Sequence, residues 1–126
     1  MTEAIKHTVA VVDDDYRVLE SLESLLESAG YIVRLFSSAE AFISANALSQ
    51  VDCLISDISM PGIDGFRLLK VAQLDRPQLP VILITGREEL MSARAPVNLP
   101  SEHFFIKPFD GKKLLAAVTV ALRRNQ

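Results

Sequence analysis

Short apolar runs alternate along this chain with longer stretches in which apolar residues recur every three or four positions. Residues 8–12, 31–36, 51–56, 80–84 and 103–106 are the short runs. They are rich in β-branched or aromatic residues and bounded by Gly, Pro, Asp or Ser, so they predict five strands. After the first, Val18, Leu19, Leu22, Leu25 and Leu26 recur at helical spacing, with Asp14 or Asp15 available as a cap and Gly30 as a stop. Residues 38–47 predict a shorter helix. Residues 64–74 predict a better one, with Phe66, Leu68 and Leu69 facing inward before Pro77 ends it. The last helix, from about Asp110 to Arg124, places Leu114, Leu115, Val118 and Leu122 on one face and basic residues at its C-terminus, where the helix dipole favours them. Residues 87–102 interrupt the rhythm. Arg87 to Arg94 suit a short helix, but Pro96 and Pro100 lack the amide donor and disfavour helix at the residues before them, so a short or broken fourth helix is expected.

Strands that alternate with helices run parallel, and helices on both faces explain why the middle strands are almost continuously apolar. A closed eight-fold barrel would need about twice this length. The expected class is therefore α/β, a doubly wound five-stranded parallel sheet in the order 2-1-3-4-5, with the first and third strands adjacent. Ligands bind such sheets outside the carboxyl ends of the strands, where the winding reverses. The polar chemistry of this chain falls there. Asp13 and Asp14 close the first strand, Asp57 the third, and Thr85 and Lys107 follow the fourth and fifth.

Whole-chain numbers narrow the reading further. The 126 residues, 49% of them hydrophobic, suit a single domain spanning 1–126 with a real core. A net charge of -3 without a polybasic stretch argues against direct binding of nucleic acid or anionic lipid. The apolar runs are far shorter than a membrane span, so a cytoplasmic protein is expected. Cys53 is the one cysteine, which excludes an internal disulfide and suggests a buried thiol. His7 and His103 read as structural or exposed, since neither has a second ligand close in sequence.

Asp13, Asp14 and Asp57 would repel one another if brought together at neutral pH, and a divalent hard cation relieves that. Mg²⁺ suits an all-oxygen site without His or Cys, and with Lys107 it would leave the site neutral. Held this way, the Asp57 carboxylate can attack phosphorus. Lys107 and the metal would offset charge on the transferring group, and the Thr85 hydroxyl would donate to a phosphoryl oxygen. The product is an acyl phosphate on Asp57. Because no G-x-x-x-x-G-K loop is present, the phosphoryl donor must be a partner protein or a small phosphodonor.

Four segments carry a resemblance at this point: Val11-Val12-Asp13-Asp14-Asp15, Ile55 to Gly65, Leu83-Ile84-Thr85-Gly86 and Phe104 to Phe109. In this order and spacing they resemble the receiver domain of two-component response regulators, similar to the chemotaxis response regulator and to nitrogen-fixation-type receivers, over essentially the whole sequence. The resemblance implies a flavodoxin-like sheet and a phosphorylation-dependent signalling module rather than an enzyme turning over an external substrate. It implies that Asp57 is the phosphoacceptor, that Asp14 binds Mg²⁺ directly and Asp13 through water, and that the Ser59 carbonyl supplies another ligand. It further implies that Thr85 moves inward on phosphorylation while Phe104 rotates into the space left, and that the Lys107-Pro108 bond is cis. A sensor histidine kinase or phosphotransfer protein would be the donor, and the downstream target is open.

Two other functions compete. One is a receiver-like module that docks a partner without phosphorylation. The other is a Mg²⁺-dependent phosphohydrolase with an Asp nucleophile, which is weaker because Ser59, two residues after Asp57, is neither acid nor base for a leaving group and no cap domain is present.

Overall fold

The computed structural model describes residues 6–86 and 99–124. Within them, β1 (Thr8–Val12), β2 (Ile32–Phe36), β3 (Cys53–Asp57), β4 (Val81–Thr85) and β5 (Phe104–Ile106) form one sheet in the order β2-β1-β3-β4-β5. Every pairing is parallel. Helices α1 (Tyr16–Ser28), α2 (Ala39–Ser44), α3 (Gly65–Asp75) and α4 (Gly111–Arg124) cover the two faces. The expected doubly wound α/β architecture and strand order are thus present. The segment expected to form a short or broken helix lies, up to residue 98, outside the described residues.

Local chemistry sets the helix ends. Asp15, not Asp14, caps α1: its Oδ1 accepts from Arg17 N at 3.0 Å. Gly30, at φ 92°, ends the same helix by letting the chain turn left-handed, and Tyr31 N then donates back to Leu26 O at 3.1 Å. Tyr31 is consequently part of the helix cap, and β2 begins one residue later than its apolar run. Ser38 caps α2 through Ala41 N, and Asp64 caps α3 through Arg67 N. The helix expected over 38–47 is shorter, because Asn46 at φ 53° separates α2 from a 3-10 turn at Ala47–Gln50. A second 3-10 turn, Ser101–His103, takes up the start of the run expected to be strand 103–106.

Successive strand residues point to opposite faces, so each interior strand feeds two cores. Ala10, Val12, Leu54 and Leu83 pack with Phe42 of α2 and Phe66, Leu68, Leu69 and Ala72 of α3. Val9, Val11, Cys53, Ile55, Ile82 and Ile84 pack with Leu19, Leu22 and Leu26 of α1 and Leu114, Val118 and Leu122 of α4. Cys53 is fully buried as expected, and burial pushes its thiol up to about 12. The register aligns the strand ends. Val12 lies opposite both Phe36 and Ser56, Asp57 opposite Ile84, and Thr85 opposite Ile106. Residues that follow these positions are delivered to one edge of the sheet.

Candidate functional site

At that edge, on the switch point between β1 and β3, stand the acidic residues. Asp13 is fully buried and Asp57 is 4% exposed, whereas Asp14 faces solvent. Each can offer a carboxylate oxygen such that the three atoms lie within 4.8 Å of one another. The Asp13 backbone extends the β1–β2 ladder by donating to Phe36 O at 3.1 Å, and its Oδ1 accepts from Asp15 N at 2.8 Å. That bond fixes the carboxylate and the start of α1 together. Lys107 reaches the pair from beyond β5, its Nζ 3.1 Å from Asp13 Oδ2 and 3.5 Å from Asp57 Oδ1. The first contact is a hydrogen bond and the second an ionic approach, for Asp57 Oδ1 is buried without a hydrogen-bond partner. The Lys107 amide donates to Thr85 O at 2.7 Å, so the same residue ties β4 to the acidic pair. The Lys107-Pro108 bond is cis, as the resemblance implied.

The electrostatics follow from this crowding. Burial, then the neighbouring Asp13 charge, pushes Asp57 up to about 6 against the pull of Lys107. Burial also raises Asp13, although the Asp15 amide and Lys107 favour its ionised form. Lys107 is itself partly buried, which disfavours its charge, but its hydrogen bond to Asp13 and its attraction to both carboxylates outweigh that and raise it. Two buried carboxylates therefore share one ammonium. An all-oxygen cluster with a buried oxygen that accepts no hydrogen bond, and with surplus negative charge, fits a hard divalent cation such as Mg²⁺.

The other predicted residues take distinct places. Thr85 ends β4, fully buried, on the α2–α3 side of the sheet with Leu83. Phe104 lies opposite Leu83 and packs, partly buried, against the same core, while Phe105 faces the α1–α4 side. Ser59 is exposed and follows Ile58, whose amide continues the ladder to Ile84 O at 2.9 Å. Both histidines lie away from Asp13, Asp14 and Asp57. His103 Nδ1 is 3.0 Å from Val81 O, with burial lowering its pKa, and His7 lies 3.8 Å from Asp52.

Two residues of the site region were not singled out for it by the sequence. Gly65 brings α3 against the end of β3: a Cβ there would overlap the Asp57 carbonyl oxygen and stand 2.7 Å from Ile58 Cα. An Asp-Gly pair at a helix start is its faint sequence signal. Glu40 of α2 accepts from Ile63 N at 3.1 Å, a contact across 23 positions that no local pattern announces.

An open parallel sheet with buried carboxylates and a lysine at its switch point defines the doubly wound receiver class, and comparison with known proteins agrees. Residues 9–119 match the response regulator receiver domain, and the chain belongs to that family. It is 36% identical over 121 residues to the transcriptional regulatory protein FixJ of Bradyrhizobium diazoefficiens, covering 96% of this chain and 59% of that protein. With FixJ of Azorhizobium caulinodans the identity is 39%, covering 93% and 56%. The chain thus spans somewhat over half the length of these relatives. Among solved structures it resembles a response regulator receiver protein from Sinorhizobium medicae, with TM-score 0.80, 28% identity and coverage of 96% and 98%. It also resembles the signal receiver domain of an HD domain-containing protein from Pseudomonas fluorescens, with TM-score 0.82, 27% identity and coverage of 96% and 98%.

Proposed function

We propose that this receiver domain is a phosphorylation-dependent switch in which Asp57 is the phosphoacceptor. The observation that carries the reading is the meeting of Asp13, Asp14, Asp57 and Lys107 at the strand edge, with one buried Asp57 oxygen that accepts no hydrogen bond. Asp57, ionised, attacks the phosphorus of an external donor. Its oxygen–phosphorus bond forms as the donor's bond to phosphorus breaks, and an acyl phosphate remains. Lys107 holds the two buried carboxylates together and then offsets charge on the phosphoryl oxygens, to which the Thr85 hydroxyl donates. Asp13, Asp14, Asp57 and the Ser59 carbonyl would hold Mg²⁺, whose chemistry is to neutralise the transferring group. The donor is a sensor histidine kinase or phosphotransfer protein in a cytoplasmic two-component pathway.

Thr85 and Phe104 share one face of the sheet, which supports a switch in which the pull of the phosphoryl group on Thr85 is answered by Phe104. Phe104 has no hydroxyl, so it can answer through burial but not through the hydrogen bond a Tyr would make. Among the described residues no helix is long and apolar enough to cross a membrane.

The test is intact mass after incubation with acetyl phosphate, with and without Mg²⁺, for the native chain and for Asp57→Asn. A Mg²⁺-dependent phosphoryl adduct on the native chain alone is expected. A folded Asp57→Asn chain that gains the adduct at the same rate would overturn the assignment.

A further inference from the structure

The loop from Ser59 to Asp64 joins the phosphoacceptor strand to α3, and its anchorage is uneven. On the inside, Met60 is buried and Ile63 packs against the α2–α3 core. At its exit, Asp64 caps Arg67 N at 2.9 Å and Gly65 N donates to Ile58 O at 2.9 Å. The exposed apex is Gly62, at φ 75°. Across from the apex stands Glu40, in the first turn of α2. Its Oε2 accepts from Ile63 N at 3.1 Å, and its carboxylate occupies the space that a Cβ on Gly62 would need. The helix does not depend on Glu40 for its cap, because Ser38 Oγ already accepts from Ala41 N at 3.0 Å. The carboxylate is therefore available to the loop.

We propose that Glu40 is a positioning residue for the phosphorylation site: it clamps the Gly62–Ile63 apex and thereby fixes the loop that presents Ser59 beside Asp57. This rests on the phosphoacceptor function proposed above. The charge-assisted bond acts from an element outside the strand-to-helix connection, so it adds a restraint on the solvent side of the loop to the anchors on its inner side. Glycine at 62 is required twice, for the left-handed backbone and for the seat of the carboxylate.

The experiment compares the native chain with Glu40→Ala, Glu40→Gln and Ser38→Ala. The readouts are hydrogen exchange at the Ile63 amide, Mg²⁺ affinity by calorimetry, uptake from acetyl phosphate and thermal stability. Glu40→Ala is expected to speed exchange at Ile63 and to weaken Mg²⁺ binding and slow uptake, each about fivefold, the factor of one solvent-exposed hydrogen bond. Glu40→Gln keeps an acceptor oxygen and should recover most of both. Ser38→Ala should lower the melting temperature while leaving Mg²⁺ binding and uptake alone, which separates the clamp from the stability of α2. If Glu40→Ala matches the native chain in affinity and uptake, or Ser38→Ala loses as much, the proposal is overturned. A native chain that neither binds Mg²⁺ nor takes phosphate overturns the proposed phosphoacceptor function, and this proposal with it.

Discussion

Asp57 is placed where two requirements oppose each other. The proposed phosphoacceptor must be ionised, yet burial and the Asp13 charge hold its proton up to about 6, against an ordinary value of 3.8. In linkage terms, a carboxyl raised on folding favours the native state fully below about pH 4, and that contribution is lost as pH climbs through about 6. Without divalent cations, Asp57→Asn should therefore stabilise the fold at pH 7.5 by about 2 kcal/mol and by little at pH 4. Melting curves at the two values check this, and equal shifts would rule out buried repulsion as the cause. Lys107 is the counterpart. Lys107→Ala leaves Asp13 and Asp57 facing each other unpaired and should cost about 2 kcal/mol at neutral pH, discounted for the partial exposure of the lysine. Adding Asp13→Asn should restore most of that loss. A double variant no more stable than Lys107→Ala would show that the lysine acts through packing alone.

Among the elements, the loops that follow the strands are as consequential as the strands. The five apolar runs, the spacing in α1 and the ends at Asp13 and Asp57 were legible because periodicity and strand-end carboxylates are local signals. Boundaries that depend on distant partners were not. β2 loses Tyr31 to the cap of α1, and the run expected from residue 51 begins as β3 only at Cys53, after Asp52, whose amide donates to Thr8 O and whose side chain accepts from Thr8 N, each at 2.8 Å. The bond from Glu40 to Ile63 and the contact of Gly65 with β3 were hidden for the same reason, since both join separate pieces of chain. Gly65→Ala tests the second. The added carbon must push α3 away from Asp57 and Ile58, costing about 2 kcal/mol by denaturant unfolding and slowing phosphate uptake. A variant with native stability would mean that the helix can move off the strand freely.

Across the whole molecule, stability is graded from the centre of the sheet outward. β1, β3 and β4 are interior strands with apolar residues on both faces, whereas β2 and β5 are edges with partly exposed side chains. Amides of the three central strands should exchange slowest, and those of β5, only three residues long, much sooner. Uniform protection across all five would refute a graded sheet. Cys53 makes the slowest of these motions accessible by simple chemistry. It lies four positions before Asp57 on the same central strand, fully buried and with its proton held firmly. A thiol reagent in solution can reach it only while that strand is open. The single thiol is thus a built-in clock: the rate at which it is labelled counts excursions of the strand that carries Asp57, and any ligand that holds the strand shut will slow the count.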